Sequence, residues 1–480
     1  MAALIRWSVV PMLAYGLAEG LSRGLNLMAL PLMTRLFSTQ DFGRIALIMS
    51  LVGFVGLLAN CGLGNAAHRY YFDRHATSAT RASTISAGLW SLVALSFLCV
   101  AVAVALAAGA VFFGAWVGRE LLWPIIIGLA AVVPIQLLQY GQDVLRLYSA
   151  HWQYLFIVVL KTLIAYAIGL SLVYWFDAGL DGYFSGLLLG YLALVPWTIA
   201  AMRRDLTLRL ERDDAKKLLT YGYPFVIAGF AQWLISSIDL WVLGALRDPA
   251  EVGIYSLSLK LAAIVSLCTS AFGLAWSPLI LRLHAEHPDY RRIAGLMLTR
   301  LATVLFLFAA AVAALVPHLF DWFIPVEYGR PSVLVAILSL SVAIAGTAQI
   351  TILGMVFEKR SDLIAKMTWV VAGFSVLSCT GLVAWLGLLG AALSNLLVSL
   401  MLTASYLLLT QKIHAIEVSR RDMVKLGGLG GLAALLTVGL AQTAPSLEWA
   451  IAKATFLVFM FLLVWRKGYF SNPMARSNAD

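Results

Sequence analysis

The chain is short of charge. Only 12% of its 480 residues are Asp, Glu, Lys or Arg, about half the share usual in a soluble globular protein, while 61% are hydrophobic. A soluble fold with a solvated surface is excluded on that ground alone. Cysteine is scarce as well. Cys61, Cys99, Cys268 and Cys379 have no close spacing, which excludes a disulfide framework and a cysteine metal site. There is no G-x-x-x-x-G-K-[ST] phosphate loop, so this chain carries no ATPase engine of that type. His284-Ala-Glu-His287 lacks the H-E-x-x-H spacing of a zinc helix. No metal, cofactor or catalytic group is called for. No small-residue cleavage site follows a short apolar core at the N-terminus, so the first apolar run is expected to be retained.

What is present is a series of long apolar stretches. Fourteen are predicted as helices: 8–32, 43–65, 84–112, 121–140, 153–175, 182–201, 222–246, 252–278, 297–318, 332–355, 366–385, 391–410, 424–441 and 448–466. Within a bilayer the backbone must satisfy its own hydrogen bonds, and runs of this length suit helices, not the shorter strands of a barrel. The thirteenth is short and rich in glycine. The expected fold is therefore an all-α polytopic membrane protein. Its loops on one side, with both termini, hold 24 Lys and Arg residues, against 5 on the other side, Arg35, Arg44, Arg119, Arg247 and Arg330. This bias places both termini in the cytoplasm. It also accounts for the net charge of +10 without a nucleic-acid partner, because the positive charge is divided among many short loops.

The two halves resemble each other. At a shift of 210 residues, Leu36, Asp41, Gly43 and Leu47 fall on Leu246, Glu251, Gly253 and Leu257. At a shift of 208, Gly179-Leu-Asp-Gly182 falls on Gly387-Leu-Leu-Gly390. Six helices per half make the repeats parallel, related by an axis along the membrane normal, and transporters built this way bind cargo between the halves. The expected organisation is an N-lobe at 1–201, a mixed-charge linker at 202–221, a C-lobe at 222–410, and helices 13 and 14 with a tail at 411–480. The lobes would surround a central cavity.

Ionisable residues at membrane depth are costly, so those present are candidates for function. Glu19 and Arg23 lie four apart on helix 1, a spacing that suits an ion pair. Gly16, Gly20 and Gly24 beside them would allow a close helix contact or a bend. Helix 5 carries Lys161, helix 7 Asp239, helix 8 Lys260, and helix 9 opens with Arg300. Arg23, Lys161, Lys260 and Arg300 are the candidates for an anionic cargo such as a phosphate or pyrophosphate. Glu19 and Asp239 are the candidates for coupling to protons or sodium. Lys453, near the end of helix 14, is expected to snorkel. The run from His68 to His75 reads as a basic, aromatic interfacial loop or a lipid-headgroup contact.

Four stretches carry a family resemblance. They are Leu30-Pro31 to Gly43 with Gly62-Leu63-Gly64-Asn65-Ala66 and Arg69-Tyr70; Tyr221-Gly222-Tyr223-Pro224 with Ser237-Ile238-Asp239 to Gly244; Glu251-Val252-Gly253-Ile254-Tyr255-Ser256 with Lys260; and Gly387 to Ala392. In order and spacing the chain resembles the polysaccharide-export flippases of the multidrug/oligosaccharidyl-lipid/polysaccharide exporter superfamily over roughly residues 1–410. The resemblance implies translocation of a polyprenyl-pyrophosphate-linked oligosaccharide across the bacterial inner membrane by alternating access. Membrane lipids would be contacts, and a polysaccharide polymerase or glycosyltransferases candidate partners. Glu19 and Arg23 match no motif of that family. The rivals are a multidrug or cation antiporter of the same superfamily, which would prefer an acidic cavity, a peptidoglycan-precursor flippase, and a membrane polymerase or glycosyltransferase, which would be expected to offer a sizeable outer loop.

Overall fold

The structure, a computed structural model, describes residues 2–73, 77–112, 118–207, 211–329 and 331–418, with scattered positions between 428 and 455. Two compact units divide the chain, Met1–Trp233 and Leu234–Asp480. The first contains α1 (Ala2–Leu36), α2 (Thr39–Asn60), α3 (Leu63–Tyr71), α4 (Ser78–Phe112), α5 (Leu122–Ala130), α6 (Val132–Leu147), α7 (His151–Phe176), α8 (Gly179–Met202) and the opening of α9 (Arg212–Leu246). The second contains the rest of α9, then α10 (Pro249–Ala262), α11 (Val265–Glu286), α12 (Tyr290–Phe323), α13 (Ser332–Gly346), α14 (Ala348–Thr351), α15 (Leu353–Phe357), α16 (Ser361–Leu386) and α17 (Leu388–Ile413). Among the described residues eleven helices are long and apolar enough to cross a membrane. The protein is an all-helical multi-pass membrane protein. Most of the predicted helices at 424–441 and 448–466 lies outside the described residues.

Of the predicted linker, residues 212–221 form the first turns of α9, which runs unbroken through Pro224. Predicted helices 2, 4, 8 and 10 are interrupted, and these are equivalent positions in the two halves. Cys61 and Gly62 both adopt left-handed backbone between α2 and α3, with φ of 45° and 67°. Cys61 therefore sits at a helix junction and not inside a helix. Pro134, three residues into α6, lacks the N–H that would continue the ladder from α5. Thr347 donates its hydroxyl to the Ile344 carbonyl at 2.7 Å where α13 ends, a side-chain bond that competes with the helix. Between α10 and α11 the break contains neither Gly nor Pro. There the backbone tightens, Ile264 N–H bonding to the Leu261 carbonyl at 3.2 Å.

Each pair of interrupted helices is tied by a glutamine. In the first unit Asn60 donates to Gln136 Oε1 at 3.1 Å. In the second, Gln349 donates to the Thr269 carbonyl at 3.0 Å. The helix starts match too. Ser38 caps α2 by accepting from Asp41 N–H at 3.1 Å, and Asp248 caps α10 by accepting from Ala250 N–H at 3.0 Å.

Close helix contact does not occur where the helix-1 glycines suggested it. A Cβ on Gly20 or Gly24 would meet nothing within 4 Å. The close approach is between α7 and α8, where a Cβ on Gly186 would fall on the Gly169 backbone. Lys453, expected to snorkel, is buried and donates to the Ala314 carbonyl at 3.3 Å. Its stem is enclosed, so a helix carbonyl takes the place of water. Trp123, Trp175, Trp322 and Trp385 are exposed at helix ends, as in the aromatic belts of membrane interfaces.

Gly186→Leu should separate α7 from α8. Over-packing of this kind costs about 1–3 kcal/mol or more. A lowered thermal midpoint in detergent, with Gly20→Leu close to wild type, is the expected result.

Candidate functional site

A polar seam crosses the first unit where α1, α6 and α7 meet. On α1, Glu19, Ser22 and Asn26 repeat at helical spacing and share a face. Their partners on α7 run in the same order. Tyr154 donates to Glu19 Oε1 at 3.0 Å, Ser22 and Thr162 share a hydroxyl bond of 3.0 Å, and Tyr166 donates to Asn26 Oδ1 at 2.7 Å. The helix α6 adds Arg146, which donates to the Tyr154 hydroxyl at 2.5 Å and lies 3.5 Å from the Asp143 carboxylate. Its guanidinium also stands 4.9 Å from the centre of the Tyr154 ring. One turn earlier, Gln142 Oε1 accepts from the Lys161 ammonium at 3.5 Å. Glu19 and Arg146 both act electrostatically on Lys161.

The structure thus brings Glu19 and Lys161, predicted separately, into one network. It also adds Arg146, Gln142 and Tyr154, which sequence reasoning missed. Arg146 was read as a loop residue because the apolar run falls away after Tyr140. The signal was nevertheless there. Asp143 and Arg146 are spaced for an i,i+3 pair, while Val144, Leu145 and Leu147 continue the apolar pattern. Glu19 is engaged by a tyrosine from another helix, so its fixed partner is Tyr154.

The second unit holds a separate polar centre. Asp239, near the end of α9, is 4% exposed. Its Oδ2 accepts from the Tyr255 hydroxyl at 2.6 Å and from Asn395 Nδ2 at 3.4 Å, and its Oδ1 accepts from Leu240 N–H at 2.9 Å. Ser341 in turn donates to Asn395 Oδ1 at 2.5 Å and shares a bond of 2.8 Å with Ser399. All the hydrogen-bond donors to Asp239 are uncharged. A carboxylate withdrawn from water on such terms is costly unless a proton or a cation compensates it. Lys260 lies in the last turn of α10, just before the interruption, and Arg300 lies in α12. Arg23 follows Glu19 by one turn of α1. All three are partly buried.

Among the described residues no group of three His, Cys, Asp or Glu side chains is placed to hold a metal ion. His284 of the His-Ala-Glu-His run stacks on Phe357 with ring centres 4.1 Å apart. It packs beside Tyr290, whose hydroxyl bonds to His414 Nε2 at 2.5 Å, and so belongs to an aromatic cluster.

The sequence model of the family described as polysaccharide biosynthesis protein matches residues 11–284. The chain belongs to that family. Among solved structures, the lipid II flippase MurJ in an inward closed conformation superposes with a TM-score of 0.76 at 14% identity, covering 94% of this chain and 98% of that one. An inward-facing multidrug resistance MATE family transporter of the MOP superfamily gives a TM-score of 0.52 at 16% identity, covering 85% and 96%. At such identities the likeness is one of fold. The fold is that shared by MurJ and the MATE transporters. Comparison with curated proteins gave no match.

Tyr255→Phe should leave the Asp239 carboxylate with one donor fewer. Removing a hydrogen bond to a buried charged group costs about 1.5–3 kcal/mol. The thermal midpoint should fall, and Asp239→Asn in the same background should recover part of the loss.

Proposed function

We propose that this polysaccharide biosynthesis protein is a flippase. It carries a polyprenyl-pyrophosphate-linked oligosaccharide from the cytoplasmic to the outer face of the bacterial inner membrane by alternating access, for surface polysaccharide synthesis. The observation that carries this reading is the polar seam of the first unit, where the Lys161 ammonium stands inside an apolar helix and meets one acceptor, Gln142 Oε1. A cation inside an apolar run, as at Lys161, is expensive to keep, and a phosphate group is a natural counterpart for it. Lys161, Arg23, Lys260 and Arg300 are assigned to the cargo's diphosphate. The polyprenyl tail stays in lipid. The protein acts as a transporter and not as an enzyme, with both termini in the cytoplasm as the loop charges require.

Asp239 is assigned to ion coupling. Its burial makes a bare charge costly, which a bound cation or proton would relieve, while the donors to it offset only part of that cost. Glu19, which accepts from Tyr154, is the second coupling candidate. An antiporter for drugs or cations has the same fold, and Asp239 is the observation that favours it. Four basic candidates, Arg23, Lys161, Lys260 and Arg300, against two acidic, Glu19 and Asp239, weigh against it.

Deletion of the gene decides between these readings. Complete lipid-linked repeat units should accumulate on the cytoplasmic face, and surface polysaccharide should be lost. Unchanged lipid intermediates together with altered drug sensitivity would replace the flippase with the antiporter. Completed units stranded on the outer face would point to a polymerase.

The coupling assignment has its own test. In proteoliposomes, Asp239→Asn should abolish stimulation of cargo transfer by a sodium or proton gradient while leaving cargo binding within about threefold of wild type. Full stimulation in the variant would remove Asp239 from that role.

A further inference from the structure

In the seam of the first unit, two donor groups are incompletely matched. Lys161 offers three donors and meets one acceptor, Gln142 Oε1, at the long distance of 3.5 Å. Gln142 itself is 2% exposed, and its Nε2 is buried with no partner. With no anion present, the ammonium favours the amide orientation that turns the oxygen toward it and the NH2 away. Glu19 is a carboxylate that acts electrostatically on Lys161. It accepts from Tyr154, and no ion pair joins it to Lys161 among the described residues. Arg146 holds Tyr154 from the other side.

We propose that the Lys161 ammonium and the Gln142 amide form a two-donor site for an anionic phosphate oxygen within the first unit, and that Arg146 and Tyr154 are positioning residues that keep Glu19 from closing it. The amide is enclosed in the structure, and a side-chain rotation about its own χ angles turns it toward an incoming oxygen. A buried donor left unpaired is costly, so an oxygen that satisfies it gains more than it would in water. Glu19 is the competitor. Released from Tyr154, its carboxylate would pair with Lys161 and cancel the charge the ligand needs. Two of these residues lie four apart on α6, Gln142 and Arg146, so one helix face supplies both a donor to the site and the group that keeps it open. This inference rests on the flippase reading only for the identity of the ligand, the diphosphate of a lipid. The site itself would take any phosphate oxygen of suitable reach.

The test uses the full-length protein in detergent, with inorganic pyrophosphate followed by calorimetry, and in vesicles containing polyprenyl diphosphate without sugars. Lys161→Met and Gln142→Leu should each weaken binding about tenfold. Arg146→Gln should weaken it similarly, and Arg146→Gln combined with Glu19→Gln should restore it to within about threefold of wild type. A merely structural role for Arg146 would not be rescued by neutralising Glu19. Should Gln142→Leu bind as wild type, or the double variant remain weak, the proposal is overturned. Binding of pyrophosphate alone with this pattern of variants identifies a free-phosphate site. Binding of the lipid alone with the same pattern identifies a headgroup site. No binding of either overturns the proposal. If the pattern holds while gene deletion leaves lipid-linked oligosaccharides unchanged, the anion site stands and the flippase reading falls.

Discussion

Inside an apolar medium every polar group must find a partner within the protein, and the organisation of each unit follows from that constraint. The long helices satisfy it along their length. The interruptions do not, because each leaves backbone groups outside the regular ladder. In the first unit the break beside Gly62 is accompanied by Asn60 bonded to Gln136. In the second, the backbone near the α10–α11 break bonds to Gln349. A glutamine links the two interrupted helices in each half, once to a side chain and once to a backbone carbonyl.

Interruption is also what allows side chains of functional interest to leave the regular pattern. Lys260 stands just before the α10–α11 break, and α6 begins at the break that follows Ala130 and carries Gln142, Asp143 and Arg146 on its later turns. A straight, uninterrupted helix would present such groups at fixed angles to its neighbours. A helix that starts afresh can be set at its own angle, and α6 uses this freedom to bring its polar face to α7.

The positions of the helices were legible in the sequence because hydropathy reports them directly. Each of the first twelve predicted stretches falls on helix. The interruptions were only partly legible. Gly62 and Pro134 are recognisable signals, but Ala263 and Ile264 have no residue that demands a break, and that one is set by tertiary packing. Among the charged residues, those well inside an apolar run, Glu19, Lys161 and Asp239, stood out because they oppose their surroundings. Arg146 did not, since it lies at the end of a run where charge is ordinary. Tyr255 and Asn395 were hidden for a different reason: they reach Asp239 from other helices, and nothing in local spacing reports a contact across 156 positions.

The two polar centres are chemically opposite. In the first unit the Gln142 NH2 is buried without a partner and Lys161 meets one acceptor, so the unmet need is for an acceptor oxygen. In the second unit a carboxylate is buried among uncharged donors, and the unmet need is for positive charge. Had both centres been acidic, a cationic drug would be the simplest cargo. Had both been basic, no group would remain to sense a driving ion. A chain in which one unit could take an anion and the other a cation would have, in principle, both parts of an ion-driven exporter of an anionic lipid. Among the described residues the hydrogen bonds of each centre lie within its own unit, so each can be altered separately by mutation. That independence makes cargo recognition and coupling separable by mutation, and a protein in which they could not be separated would require a different account of its charges.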